Sequence, residues 1–431
     1  MLNNRVGVNE KGNLTIGGVD TVELANAYGT PLYVFDENDI RNNCREFKGA
    51  FEKHYNSNAQ VYYASKAFSC KEMYRLVNSE GLGVDVVSGG ELYTALSVGF
   101  PADKIGFHGN NKTKDELIFA LKSNVGHIIV DNFTELELLN GLAKELSKKP
   151  DILLRIKPGI DCHTHEYIKT ATIDCKFGFA LENGEAEEAL KAACQAENLN
   201  LVGIHCHIGS QIFEKQPFID APEIMVSLAK RVQQKFGKTL TEINFGGGFG
   251  IKYTKNDTPV AKDEMIMELC AAVKTACKKY EFPLPKLSIE PGRSIVGDAT
   301  LTLYTIGNIK TIENVRTYVS VDGGMTDNPR YALYGAEYEA VVANKANKPR
   351  DFVATIAGRC CESGDLIQEH TKIQTPKAGD ILAVLSTGAY NYSMASNYNR
   401  VPRPAAVMVN NGKSREIIKR ETYEDIISKD I

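Results

Sequence analysis

No apolar run in this chain of 431 residues approaches the ~20 needed to cross a bilayer, so length alone excludes a membrane-spanning helix. Positive charge is not in excess either. Fifty lysines and arginines stand against 54 acids, a net charge of −4. That argues against a nucleic-acid binder while leaving room for one anionic ligand at one basic site. Cysteine is sparse, ten residues with no C-x-x-C pair, which points to reduced thiols rather than a disulfide framework or a zinc site. Met1 to Asp20 lack the charged-then-apolar order of a secretory leader, so a cytoplasmic protein is expected. Low-complexity segments, repeats and long linkers are also missing. What remains, 43% hydrophobic and 24% charged, is the composition of an ordinary globular protein. Its length suits two or three domains, since one α/β barrel can absorb ~250 residues.

From about Asp36 to Lys286 one unit recurs: a short apolar run, a turn, then an amphipathic stretch. The runs are Gln60–Ala67, Gly83–Ser88, Lys104–Gly109, His127–Asn132, Asp151–Pro158, Val202–Gly209, Glu242–Gly248 and Lys286–Arg293. Each is short and rich in Val, Ile or aromatics, and each is followed by Gly, Pro, Ser or Asn, as buried parallel strands are. Between them, Leu117, Ile118 and Leu121, and then Leu136, Leu139, Leu142, Ala143 and Leu146, fall at helical spacing. Parallel neighbours need a crossover, so the alternation implies a parallel sheet. Eight strands would close a barrel with its function at the C-terminal strand ends; an open doubly wound sheet fits the spacing as well. Beyond Arg293 the texture turns to strands with few helices: Leu301–Ile312, Thr317–Asp322, Phe352–Ala357, Ile381–Ser386 and Ala405–Val409. Leu14–Ile16 and Leu32–Phe35 could join them. Two domains are expected, 36–285 and a β domain of 1–35 with 286–431.

Four strand ends carry chemistry. Lys66 closes the first, where desolvation would lower an amine's pKa and suit it to a Schiff base. His205 and His207 lie two apart on the sixth, placed on one face by strand alternation, and His163 and His165 share that spacing. No carboxylate partner completes either pair, so no metal is expected; a flat imidazole could instead stack on an aromatic cofactor. Gly246-Gly247-Gly248-Phe249-Gly250 follows the seventh strand. It could cradle a phosphate, although it is neither a dinucleotide fingerprint nor a P-loop. Glu290-Pro291-Gly292-Arg293 ends the eighth, a mere ion pair or a carboxylate for a pyridinium with a guanidinium for an anion. Alone, each has an ordinary structural explanation. Four compatible motifs at four strand ends carry far more.

Together these segments resemble the fold-type III pyridoxal-phosphate decarboxylases. The likeness lies in Tyr63-Ala64-Ser65-Lys66-Ala67, His205 to Gln211, Gly246 to Gly250 and Glu290 to Ser294. It continues through Asp327-Asn328-Pro329-Arg330-Tyr331, Gly358 to Asp365 around Cys360-Cys361-Glu362, and Gly388-Ala389-Tyr390. Order and spacing are kept over nearly the whole chain. The resemblance implies a (β/α)8 TIM-like barrel with a second, mostly antiparallel β domain, the alanine-racemase-like arrangement. It implies pyridoxal 5'-phosphate as cofactor and a homodimer whose two active sites are shared.

The resemblance also implies roles. Lys66 would be the Schiff-base lysine, His207 would stack on the cofactor ring, and Glu290 would pair with its pyridinium nitrogen. Ser210, Gly247 and Gly248 would help hold the phosphate, with Gly292 and Arg293 also lining the cofactor site. Arg293, Arg330 and Tyr334 would bind the substrate's distal end, and Tyr390 would touch cofactor and substrate. Cys361 would be the proton donor and Glu362 would contact the distal amine, both from the partner chain. Cys360 reads as structural, and Asp85 to Ser88 as supporting contacts. A distal carboxylate and ammonium, met by a guanidinium and by Glu362, point to decarboxylation of meso-2,6-diaminopimelate to lysine. Ornithine, arginine or carboxynorspermidine would be the alternative substrates. An amino-acid racemase, which usually has a tyrosine base in place of Cys361, fits less well. A non-catalytic paralogue should have lost Lys66 or the glycines, and this chain keeps both.

Overall fold

The computed structural model of the chain describes residues 5–55, 58–160 and 175–431. Eight of the apolar runs become parallel strands: β1 (Ala59–Ala64), β2 (Gly83–Val86), β3 (Ile105–Phe107), β4 (His127–Val130), β5 (Asp151–Lys157), β6 (Asn200–His205), β7 (Glu242–Asn244) and β8 (Lys286–Ile289). Each pairs in parallel with the next, and Leu287 to Ile289 of β8 pair with Ala59 to Val61 of β1, so the sheet closes on itself. Closure leaves no edge within the ring. A two-residue strand, Phe179–Ala180, pairs with the end of β5. Helices return the chain between strands, and side chains in the preceding loops cap several of them. Ser88 caps Gly89–Leu96 and Asn132 caps Phe133–Glu145, while Thr113 and Glu116 form a reciprocal capping box on Lys114–Ser123. Each cap satisfies N–H groups that would otherwise be orphaned, worth about 1 kcal/mol apiece, and it fixes the loop at the functional end of the strand before it.

The barrel unit comprises 43–250 and 258–292; the other unit comprises 1–42, 251–257 and 293–431. This corrects the boundaries expected at 36–285. Lys286–Ile289 is the closing barrel strand, bonded to both β7 and β1, so it cannot belong to the β domain. The segment 251–257, expected in the barrel, packs with the β unit through Ile251 and Tyr253. A second correction concerns the sixth strand, which ends at His205. His207 lies beyond it, so strand alternation does not set its direction, and the two histidines have different partners.

In the β unit, Leu32–Asp36 is buried at every residue. It pairs antiparallel with Thr300–Leu303 and parallel with Ala405–Val409. The long strand Thr300–Ile312 also pairs antiparallel with Ile381–Leu385 and with Arg316–Val321. Alternate residues feed two cores. Leu301, Leu303, Ala383 and Leu385 face one, with Leu14, Val34 and Val407; Tyr304, Ile306, Leu382 and Val384 face the other, with Val319 and Ile356. The sheet is mostly antiparallel. The exceptions are Leu32–Asp36 beside Ala405–Asn410, and Arg316–Val321 beside Phe352–Ala357.

Candidate active site

In the barrel unit, β1 runs into a short 3-10 turn, Ser65–Ala67, that carries Lys66. Ser65 and Ala67 are buried while Lys66 is exposed, so the desolvation expected of a strand-end lysine is not present in the chain by itself. The turn is anchored on both sides. Ser65 Oγ donates to the carbonyl of Asp85 (2.7 Å), and Ala64 N–H donates to that of Pro291 (3.2 Å). Gly292 lies against the turn so closely that a Cβ there would sit 3.0 Å from those of Ala64 and Ala67. The segment after β8 and the lysine turn after β1 are thus in contact.

The loops after β6 and β7 are joined in the same way. Ile212 N–H donates to Gly248 O and Gly250 N–H to Ile212 O, while Gly247 N–H donates to Nδ1 of His207 (3.0 Å). That last bond orients the His207 ring and leaves its proton on Nε2. Burial, reinforced by the charges of Lys66 and Arg155, holds the pKa of His207 well below the usual histidine value, so the ring is neutral. Gly246 and Gly248 adopt φ of +65° and +105°, and a Cβ on Gly247 would lie 2.4 Å from Glu290 O. Only glycine fits. Gly247, expected to bind phosphate, uses its N–H on His207, whereas Gly248 N–H bonds no described residue and remains available as a donor. Ser210 lies half-buried in the loop between His207 and Ile212.

Glu290 is buried at the centre of this end of the barrel. Its Oε1 accepts from His108 Nε2 (2.8 Å) and Asn244 Nδ2 (2.7 Å), and its Oε2 from His205 Nε2 (3.0 Å). Burial by itself would raise its pKa; the two imidazoles outweigh burial and hold the carboxyl well below the usual range. An anionic carboxylate only accepts, so both histidines donate. Two imidazoles and a carboxylate with ligand atoms within 4.8 Å of one another are also a set that can hold a metal ion; here those atoms bond each other. His163 and His165, the other pair considered, lie outside the described residues.

These residues suit pyridoxal phosphate. Glycines hold the only backbone that fits, a neutral ring lies beside them, and a carboxylate has about four acceptor sites of which three are filled. His108 and Asn244 escaped the reading of the sequence. His108 is the residue directly after β3 and Asn244 the last residue of β7, so asking which polar residue ends every strand, not four of them, would have found both.

The β unit holds a second constellation. Arg293 and Arg330 are both buried and both lie against the ring of Tyr253, with guanidinium carbons 5.6 and 5.0 Å from its centroid. Arg293 Nη1 donates to the Tyr253 hydroxyl (2.5 Å), and its guanidinium carbon lies over Tyr390, 4.8 Å from the ring centroid; Arg330 Nη1 donates to the Tyr338 hydroxyl (2.7 Å). No described carboxylate bonds Arg330. Tyr390 is held at φ +63°, a conformation costly for a bulky residue, and it keeps its ring over Arg293. Two guanidiniums around one ring, answered by phenols, make a site for an anion. Tyr253 and Tyr338 were not anticipated. A tyrosine that accepts from an arginine has no local signature.

Tyr334, half-buried at the end of the short helix Arg330–Tyr334, makes no hydrogen bond to the arginines. Cys361 and Glu362 sit exposed on a turn. Cys361 N–H is tied to Asn399 (2.7 Å), and neither side chain joins the arginine cage. Burial and the Asp365 carboxylate push the neighbouring Cys360 thiol up to about 11, which keeps it protonated at neutral pH.

Residues 37–297 match the family model described as "Pyridoxal-dependent decarboxylase, pyridoxal binding domain". The diaminopimelate decarboxylase of Bacillus subtilis (strain 168) is 51% identical over 423 residues, 98% of this chain and 96% of that one. That of Bacillus methanolicus is 52% identical over 414 residues, 96% of each. Among solved structures, the diaminopimelate decarboxylase of M. jannaschii in complex with L-lysine superposes with a TM-score of 0.91 at 37% identity, covering 100% of this chain and 98% of that one.

Proposed function

We infer the division of labour in this chain from the premise that it belongs to the pyridoxal-dependent decarboxylases and, among them, to the diaminopimelate decarboxylases. It is a lyase that removes one carboxyl group of meso-2,6-diaminopimelate as carbon dioxide and leaves lysine, with pyridoxal phosphate as cofactor. When bound, that cofactor takes up the electron pair left at the α-carbon as carbon dioxide departs.

Lys66 supplies the amine that attaches the cofactor. Glu290, held anionic by His108 and His205, keeps a proton on the ring nitrogen and so keeps the electron sink cationic. His207, neutral and pinned by Gly247, offers a flat face for the ring. Gly248 N–H and Ser210 line the phosphate's side, in the cradle that Gly247 helps to form, and Gly292 lines the cofactor site beside the lysine turn. Arg293 and Arg330 bind the distal carboxylate, with Tyr334 and Tyr390 beside them. Cys361 returns the proton to the α-carbon and Glu362 meets the distal ammonium, each supplied by the partner subunit of a homodimer. The reading also places the enzyme in the cytoplasm, in keeping with the fact that no helix among the described residues is long and apolar enough to cross a membrane.

The observation that carries the assignment is Glu290, an anion with three barrel donors and one acceptor site left over, beside a cradle that only glycines can form. Borohydride treatment of the holoenzyme should fix the cofactor to one peptide, that of Lys66. Carbon dioxide release should be far faster from meso-diaminopimelate than from lysine or ornithine. Label on another lysine would refute the role of Lys66, and equal rates on all three substrates would refute the role of the arginines.

A further inference from the structure

Glu290 is gripped asymmetrically. Among the described residues, Oε1 takes two donors, His108 from the end of β3 and Asn244 from β7, whereas Oε2 takes only His205 from β6. With about four acceptor sites on a carboxylate, the one remaining belongs to Oε2. A carboxylate whose first oxygen is doubly held cannot rotate without breaking a buried bond, so the direction of the second oxygen is set by the donors on the first. Asn244 is itself fixed, because its Oδ1 accepts from Gly246 N–H (2.8 Å). His108 is fixed through the backbone. Lys112, wholly buried, donates to the carbonyls of Gly109 (2.9 Å) and Ile129 (2.7 Å) and to Glu135 (2.7 Å), clamping the residue next to His108.

We propose that His108 is a positioning residue for the reaction: its Nε2–H, with Asn244, pins Oε1 of Glu290 so that Oε2 is presented to the cofactor's ring nitrogen. This rests on the reading of Glu290 as the partner of that nitrogen. The groups around His108 come from several elements. His205 packs edge-on against its ring, with centroids 4.9 Å apart, and Asp85 at the end of β2 lies 3.8 Å from its Nε2. Lys66, after β1, adds a positive charge felt by Asp85 and by His205. At 3.8 Å the Asp85 Oδ1 is beyond hydrogen-bond reach and bonds no described group, so the His108 proton is given to Glu290 Oε1 at 2.8 Å.

The sign of the effect follows from hydrogen bonding. A donor on a carboxylate stabilises the anion and makes it a weaker base. Without His108, Glu290 becomes more basic and freer to turn, and the shared proton moves from the ring nitrogen toward the carboxylate. The electron sink then loses its charge.

The test uses holoenzyme loaded with cofactor carrying nitrogen-15 in its ring, whose chemical shift reports protonation of that atom. Wild type and His108→Gln, whose side-chain amide can still donate, should show a protonated ring nitrogen. Glu290→Gln should show an unprotonated one, and His108→Leu should move toward it. His108→Leu should also lose roughly ten- to a hundredfold in kcat, the usual cost of removing a partner that orients a functional group, with KM within about twofold. A wild-type shift in His108→Leu beside a changed one in Glu290→Gln would overturn the proposal and leave the role of Glu290 standing. An unchanged shift in both would overturn the role of Glu290 and the proposal with it. Should His108→Leu not fold, His108→Asn, too short to reach Oε1, is read by the same criteria.

Discussion

Arg330 is buried with one phenol and two aromatic rings for partners, and in its proposed role a substrate without a distal carboxylate would leave its charge unanswered. Each unmade bond in such a site costs about 1–3 kcal/mol, more when a charge is involved. Arg330→Ala should therefore reduce the preference for diaminopimelate over ornithine by roughly a hundredfold, measured as the ratio of carbon dioxide release, without changing the amount of cofactor bound. A preserved ratio with lowered stability would reduce Arg330 to a packing residue. Tyr253→Phe keeps the ring and deletes the hydroxyl that accepts from Arg293. It should raise KM for diaminopimelate about tenfold and leave kcat nearly alone, since the lost bond orients the guanidinium proposed to bind substrate. The residues proposed to touch ligand were legible in the sequence because Lys66, Glu290 and Arg330 stand in local motifs with chemical meaning. Residues that hold other residues were not. The link from His108 to Glu290 spans 182 positions, and only barrel closure brings the two together.

The barrel strands bury several polar side chains, among them Glu242, Asn244 and Ser288. Glu242 of β7 accepts from Ser288 and Lys286 of β8 (the latter at 3.1 Å) and lies 3.3 Å from His127 of β4. Burial would raise its pKa, but His127, Lys286 and Ser288 together pull it down to about 2. A carboxylate whose folded pKa is depressed stabilises the fold above its unfolded pKa of ~4.3 and loses that contribution as pH falls through the folded value. Glu242→Gln should thus cost about 3 kcal/mol at pH 7 by urea denaturation. The gap from wild type should close between about pH 4 and pH 2. Gly247→Ala places a methyl group 2.4 Å from Glu290 O, and should cut cofactor affinity at least tenfold, seen by equilibrium dialysis, while the circular dichroism of the barrel persists. The barrel strands and Phe352–Ala357 were readable because each is a bounded apolar run. Lys413–Ile418 was missed because it is an edge strand, exposed or half-buried throughout, with no apolar face to betray it. Its signal was the turn: Asn411 and Gly412 at φ +49° and +76° form the tight hairpin to Ala405–Asn410.

At the scale of the whole molecule, the proposed sharing of Cys361 between subunits predicts complementation. Lys66→Ala and Cys361→Ala chains, each inactive, should regain activity when mixed under subunit exchange, because a mixed dimer contains one site with both residues intact. No recovery after proven exchange would show that each site is built from one chain. Two units were foreseen from the change of texture after Arg293; the return of 251–257 to the β unit was not, since nothing local marks seven residues as belonging elsewhere. The strand Leu32–Asp36 has a consequence for how the protein is made. Its two neighbours are Thr300–Leu303 and Ala405–Val409, and every barrel strand lies between it and them. At ~5–20 residues per second, the ribosome needs on the order of half a minute to deliver the second neighbour. Through that interval an apolar strand, destined for burial at every residue, waits with both edges unpaired while the barrel's own strands emerge and meet. The nascent chain is therefore most open to aggregation at its leading end, and a chaperone that acts during synthesis would find its binding segment there.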